Sequence, residues 1–398
     1  MKILWVTTNF LHPTTKGGQI RTLGMLRWLH RWHDVHVVAM HEAGETEGRE
    51  RAREYASEVT AIERPAPARR MSARFWWEVV GSLTNAQPLA VSRHHPPGTR
   101  ERLRELLARE RFDRAVVDFL APAAYYPDLP RALLFQHNVE TMIWRRHAEH
   151  ARNPVERAYF ASQARKMFRF ERDVCRTVAH TVAVSEADAQ TMRSLFGVET
   201  VSAVATGVDV DYFARPGEGA AAPIDLVFVG SMDWMPNVDG VDWFLAEVLP
   251  LIRERRPEAT VAIVGRTPPA RLADRKDIVV TGTVPDVRPY LWRGRLSIVP
   301  LRIGGGTRLK IYESMAAGLP VVSTTVGAEG LDVAAGRDIT LADDARGFAA
   351  ECVRLLEDEA ARRVLAEAAL ARVTGQFSWE QVTRSFERTL IEKAPALS

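Results

Sequence analysis

Ile303-Gly304-Gly305-Gly306-Thr307-Arg308-Leu309-Lys310-Ile311-Tyr312-Glu313-Ser314-Met315-Ala316-Ala317-Gly318-Leu319-Pro320-Val321-Val322 decides how this chain is read. Gly304, Gly305 and Gly306 let the backbone approach a ligand closely and take positive φ. The pattern then predicts a helix of about three turns, capped by Thr307 and stopped by Gly318 just before Pro320. The free amides of such a helix start attract an anion, and Arg308 and Lys310 stand in the expected first turn. Cations weaken an isolated helix there, so their placement points to a bound phosphate. Glu313 lies one turn deeper than Lys310 on the same face. A diphosphate at the cap and a polyol held by Glu313 together describe a nucleotide sugar.

Outward from this stretch the chain alternates between strands and helices. In the second half, strands are expected at residues 225–229, 260–264, 278–281, 296–299 and 320–323. In the first half they are expected at 3–7, 35–40, 114–118, 132–136, 181–184 and 200–204, with helices at 17–32 and 155–174. Residues 212–223 have the small, glycine- and proline-containing composition of a linker. Two facing, doubly wound Rossmann-like α/β domains fit this restart better than one large sheet. The expected division is 1–205, a linker at 206–223, a second domain at 224–376, and a C-terminal helix at 377–398. Ser378 and Gln381 form a capping box for that helix, with Phe377 and Val382 as a hydrophobic staple.

Composition narrows the function classes. The 398 residues are 46% hydrophobic and 26% charged, as in globular proteins of two ordinary domains. Fifty-three basic and 50 acidic residues leave a net charge of +3, which gives no case for nucleic-acid binding. Cys175 and Cys352 are far apart and lack metal spacing, which fits a reducing cytoplasm. No apolar run approaches the ~20 residues that span a bilayer. No Gly-x-Gly-x-x-Gly follows the first strand, no Gly-Lys-Ser/Thr loop exists, and no zinc spacing occurs, so no cofactor or metal is expected. Asp209 and Asp211 make only a weak metal pair. His30, His33 and His36 read as scattered surface residues.

The opening stretch resembles the donor-binding signature of retaining glycosyltransferases of family 4, which have the GT-B fold. Glu313 matches the second glutamate of that signature. Ser314-Met315-Ala316-Ala317-Gly318-Leu319-Pro320-Val321-Val322 matches its Ala-Met-Ala-x-Gly-x-Pro-Val-Val. The first glutamate falls at Gly305 and is absent, as in a subgroup reading Gly-Gly-Gly-Thr-Arg-Leu-Lys. The resemblance implies a metal-independent enzyme that moves a sugar from a UDP- or GDP-linked donor to a hydroxyl acceptor in an interdomain cleft. Glycan or glycolipid synthesis is the setting it implies; cysteine usage and the lack of a spanning run point to the cytoplasm, and the stretch at residues 69–77 to peripheral contact at the inner face of the membrane. The first domain would take the acceptor, the second the donor, and the last helix would return to the first domain. A nucleotide-sugar epimerase of the same fold and a catalytically silent nucleotide-sugar-binding subunit are the alternatives.

Further candidates sit where strands end, which is where open α/β sheets bind ligands. Gly17 and Gly18 precede the first helix; the resemblance puts them near donor phosphate, while a helix-start turn is the plain alternative. His137 and Asn138 follow the strand at 132–136, and Asp118 ends the one before. The resemblance puts His137 near the transferred sugar; otherwise it caps the next helix. Gly230 and Ser231 follow the first strand of the second domain. Members of the family carry an arginine and a lysine in this loop, but this chain has neither between Gly230 and Arg253, so Arg308 and Lys310 are expected to supply the charge. Gly282 and Val284 would touch the nucleobase, and Gly207-Val208-Asp209 with Phe213 resembles the family's interdomain junction. Arg69, Arg70, Arg74, Trp76 and Trp77 form a stretch that docks on an anionic membrane surface or helps hold a lipid-linked acceptor, or else a buried amphipathic helix with a few surface arginines.

Overall fold

Ile3, Leu4, Trp5 and Val6 are all fully buried, which places β1 (Lys2–Val6) in the middle of a sheet covered on both faces. The computed structural model describes residues 1–14, 17–66, 68, 72–94, 96–151, 153–217, 222–303 and 308–397. Gly304, Gly305, Gly306 and Thr307 lie outside these, as do Arg69 and Arg70. The described chain divides into two compact units: Met1–Ala205 with Val382–Ser398, and Thr206–Gln381.

The first unit holds a seven-stranded sheet in the order β3-β2-β1-β4-β5-β6-β7, every pairing parallel. Its strands are β1, β2 (Asp34–Glu42), β3 (Glu58–Arg64), β4 (Arg114–Asp118), β5 (Ala132–Phe135), β6 (His180–Ala183) and β7 (Val201–Ala203). The helices used below are α1 (Gly17–Trp32), α2 (Ala73–Thr84), α3 (Glu140–Glu149) and α4 (Pro154–Thr177). Alternate residues of β1 enter opposite cores, as strand geometry requires. Leu4 and Val6 pack with Val117, Leu134 and Met167, while Ile3 and Trp5 pack with Leu26, Leu29 and Phe135.

The second unit repeats the plan with six parallel strands in the order β10-β9-β8-β11-β12-β13. These are β8 (Ile224–Val229), β9 (Val261–Val264), β10 (Val279–Val280), β11 (Gly294–Val299), β12 (Val321–Ser323) and β13 (Thr340–Leu341). Helix α5 (Met235–Trp243) follows β8, and α6 (Leu309–Ala316) lies between β11 and β12. Each sheet reverses its strand order once, between β1 and β4 and between β8 and β11. These are the switch points at which doubly wound sheets open a crevice at their carboxyl ends.

Helix α7 (Trp379–Lys393) starts in the second unit, and from Val382 it belongs to the first. Val382, Phe386, Leu390 and Ala394 lie in the core with Trp5 and Leu26. Ser378 Oγ accepts the Gln381 amide at 3.4 Å. The expected staple is replaced, because Phe377 stacks on Tyr312 with ring centroids 4.5 Å apart. Phe386 is fully buried, with its ring 5.6 Å from Trp5 and 5.1 Å from Phe135. Phe386→Ala is expected to destabilise the first unit by about 3–5 kcal/mol in urea unfolding. An unchanged transition would show that α7 does not help to hold this core.

Candidate functional site

In the second unit the site is built around one ammonium group. Lys310, in the first turn of α6, lies with Nζ 4.4 Å from the centre of the Phe228 ring and donates to Asn237 Oδ1 at 2.7 Å. Asn237 Nδ2 in turn donates to Ser231 O at 2.7 Å, so α5 holds both the lysine and the loop after β8. A Cβ on Gly230 would stand 2.7 Å from Lys310 Nζ, so the lysine reaches its place only past a glycine. Burial pushes the Lys310 ammonium down to about 7, against the pull of Glu313. Burial likewise pushes the Glu313 carboxyl up to about 7, opposed by Lys310.

Arg266 extends this group and is absent from the sequence-based candidates. It follows β9, and its Nε donates to Ser231 Oγ at 2.9 Å and to Asp233 Oδ2 at 3.1 Å. The loop after β8, with no basic residue of its own, thus receives one from the neighbouring strand end. The rule that singles out Gly230 applies equally to Gly265 and Arg266, so the signal was present. Arg308 differs from expectation. It is the N-cap of α6, one position outside the helix, and is buried, donating from Nη2 to Val326 O at 3.1 Å and facing Glu329 at 3.6 Å. Gly282, at φ +67, and Val284 lie in the loop after β10, at the edge of the sheet.

In the first unit the carboxyl ends of β4 and β5 bring Asp118 and His137 together. His137 Nε2 meets Asp118 Oδ1 at 2.7 Å, and Asp118 Oδ2 accepts Trp5 Nε1 at 3.1 Å and Thr22 Oγ1 at 2.9 Å. Asp118 is wholly buried, and its carboxylate orients His137. The carboxylate accepts, so Nε2 carries the proton and Nδ1 keeps its lone pair. Nδ1 is buried and has no hydrogen-bond partner among the described residues. Burial holds the imidazole pKa below its usual value, with Asp118 opposing, so the ring is neutral near pH 7.

Phe119, at φ +67, stacks on the His137 ring at 4.0 Å. Gly18 permits this, because a Cβ there would stand 2.7 Å from Phe119. Arg21 ties the neighbouring strand ends, donating at 2.7 Å to both Gln136 O and Val204 O. His137 does not cap α3. Glu171 does that, accepting the Glu140 and Thr141 amides at 2.9 and 2.7 Å. Gly17 begins α1, and Asn138 is half-buried beside His137.

Two polar groups elsewhere have plainer roles. His36, expected at the surface, is buried with Nδ1 3.1 and 3.3 Å from Glu58 and Glu110. These three are the group of described residues that could hold a metal. Lys2 already pairs with both glutamates, at 3.4 and 3.1 Å, and the group sits at the amino ends of its strands, away from the switch point. Asp209 caps the short helix after it, accepting the Tyr212 amide at 2.9 Å.

The second-unit site lies within a recognisable segment. Residues 223–358 match the family model of glycosyl transferases group 1. Over 202 residues the chain is 28% identical to the glycogen synthase of Mycobacterium tuberculosis, covering 47% of each protein. The chain spans less than half the length of the curated relatives it matches. Among solved structures it resembles HepE of Anabaena in complex with UDP, at 14% identity and TM-score 0.68 over 98% of this chain and 100% of that one. It also resembles the sucrose-phosphate synthase of Thermosynechococcus elongatus, at 15% identity and TM-score 0.69 over 98% of each. These likenesses carry the fold: two Rossmann-like α/β domains of the GT-B class.

A half-buried lysine that titrates near neutrality makes anion binding depend on pH in a definite direction. Below about pH 7 Lys310 is charged before the anion arrives; above it, binding must draw in a proton. The ratio of pyrophosphate affinities, parent over Lys310→Gln, is therefore expected to fall by up to about tenfold per unit between pH 7 and 9. Calorimetry reads this ratio, in which titration of the ligand itself cancels. A ratio constant with pH would contradict the placement of Lys310.

Proposed function

We propose that the protein is a retaining glycosyltransferase of family 4 type that moves a sugar from a UDP- or GDP-linked donor to a hydroxyl acceptor. The observation that carries the reading is the arrangement of Lys310, Asn237, Ser231 and Gly230 at the β8/β11 switch point, with Glu313 one turn deeper. An ammonium with little water around it gains from a diphosphate, and a carboxylate one turn further along α6 suits the hydroxyls of a ribose. HepE, a neighbour in fold, binds UDP, and the matched family model covers every one of these residues.

On this reading the second unit binds the donor and the first serves the acceptor. Breaking the anomeric bond puts negative charge on the departing nucleoside diphosphate. Lys310 and the amides at the start of α6 stabilise it, with Arg308 fixing the approach to the helix. Gly282 and Val284 serve the base; Gly304, Gly305, Gly306 and Thr307, the donor candidates read from the sequence, lie outside the described residues. His137, neutral and held by Asp118, offers Nδ1 to a sugar or acceptor hydroxyl, with Asn138, Gly17 and Gly18 around it. The leaving phosphate takes the acceptor's proton, so neither a protein nucleophile nor a metal ion is required. Glycan or glycolipid synthesis is the setting this chemistry suits.

Incubation with a panel of nucleotide sugars in EDTA, reading free nucleotide, tests the proposal. Slow release from one donor without acceptor is expected, and proton NMR should show the sugar released first with its anomeric configuration kept. Binding without release from any donor would favour the silent subunit, and recovery of an epimerised sugar the epimerase. Glu313→Ala is expected to weaken donor binding by ~1.5–3 kcal/mol, the worth of a charged hydrogen bond. Unchanged affinity in the folded variant would remove Glu313 from the donor site.

A further inference from the structure

Helix α2 turns its apolar side outward. Trp76, Trp77, Val80 and Leu83 are 49%, 76%, 55% and 53% exposed. At 100° per residue they share one face, while Phe75, Val79 and the buried Ser82 fall on the face beside it. The helix is anchored from behind by α4. Ser82 Oγ pairs with Tyr159 Oη at 3.4 Å and accepts Gln163 Nε2 at 3.2 Å. Lys166 donates to the carbonyls of Ser82, Leu83 and Asn85 at the helix end. The outward face is therefore held in place rather than left loose. Isolated exposed apolar residues need no explanation, but two adjacent tryptophans continuous with two aliphatic side chains on a fixed helix do.

The sequence of α2 and of the helices next to it is lopsided in charge. Residues 64–94 carry five arginines against one acidic residue, Glu78. Residues 141–172, which include most of α3 and α4, carry eight basic residues against three acidic. The whole chain is only +3, so these two segments hold all of the excess positive charge and the remainder is net negative. Glu78, the one acidic residue within 64–94, is already shared by Arg74 and Arg93 at 3.4 and 3.0 Å.

We infer that α2 is a docking helix for an anionic lipid surface, with Trp76 and Trp77 at the level of the headgroups. Tryptophan favours that depth, where its ring is in apolar surroundings and its N–H remains wet. Arginine-rich flanks add attraction to acidic lipids, which falls with salt. No described helix is long and apolar enough to cross a membrane, so the contact is one of lying on the surface. The inference does not depend on the glycosyltransferase reading.

Sedimentation of the full chain with phosphatidylglycerol-containing vesicles tests it. Binding is expected to those vesicles at low salt, to fall severalfold at high salt, and to be weak for pure phosphatidylcholine. Trp76→Ser/Trp77→Ser should lower it at least tenfold while pyrophosphate binding and the circular dichroism spectrum stay as in the parent. Without any variant, brominated acyl chains should quench tryptophan fluorescence of the parent on the anionic vesicles. Equal binding by parent and variant, no preference for the anionic lipid, or absence of quenching would overturn the assignment. So would a lipid-free dimer that the double variant dissolves, since a second copy would then cover the face.

Discussion

The second unit is organised by the cost of taking one ammonium group out of water. Lys310 lies over Phe228, and among the described residues it donates to one neutral acceptor, Asn237. Such a group is several kcal/mol worse off than in solvent unless a negative charge compensates it. Glu313 supplies part of that, yet its own carboxyl is raised by the same burial. Neither partner is satisfied by the other, and an anion at the start of α6 relieves the lysine directly. A Cβ on Gly230 would crowd Lys310 Nζ where it stands, and Asn237 couples its position to the loop at which β8 ends.

The first unit solves a related problem with a different set of groups. Its strands β5, β6 and β7 end in carbonyls that Arg21 gathers from within the sheet's edge of the crevice, its guanidinium 4.0 Å over Phe135. Burial lowers the pKa of that guanidinium to about 9, which leaves it charged at neutral pH. Asp118, fixed by Trp5 and Thr22, then sets which nitrogen of His137 carries a proton. Core packing and site chemistry meet in Trp5, which fills the core against Phe386 and donates to the carboxylate that orients the histidine.

Much of this was legible in the sequence because strand ends in doubly wound sheets are predictable from apolar runs. Eleven of the strands follow such runs to within a residue or two. β3 was not legible, since Glu58, Glu63 and Arg64 break its apolar pattern, and β13 is too short to carry one. His137, Gly230 and Lys310 are candidates from the sequence because each follows a strand or stands in the first turn of a helix. Asn237 is not legible locally, because its contacts join α5 to α6 and to the loop after β8; Arg266 stands at a strand end, a local signal, and only its reach from β9 to Ser231 and Asp233 is non-local. Arg308 was misjudged by one position, because a helix that begins at Leu309 instead of Arg308 turns a first-turn residue into a cap. Glu171 was invisible for the same reason as Asn237, since it caps a helix from the middle of another.

The direct measurement is the titration of Lys310 itself. The chain has six lysines, so the side-chain carbon resonances of uniformly labelled lysine can be followed singly, with Lys310→Gln assigning the signal. The account predicts a midpoint near pH 7 in the free protein and a shift upward of a unit or more when a nucleoside diphosphate is added. A midpoint at the ordinary lysine value of about 10.4 in the free protein, unmoved by the ligand, would contradict it.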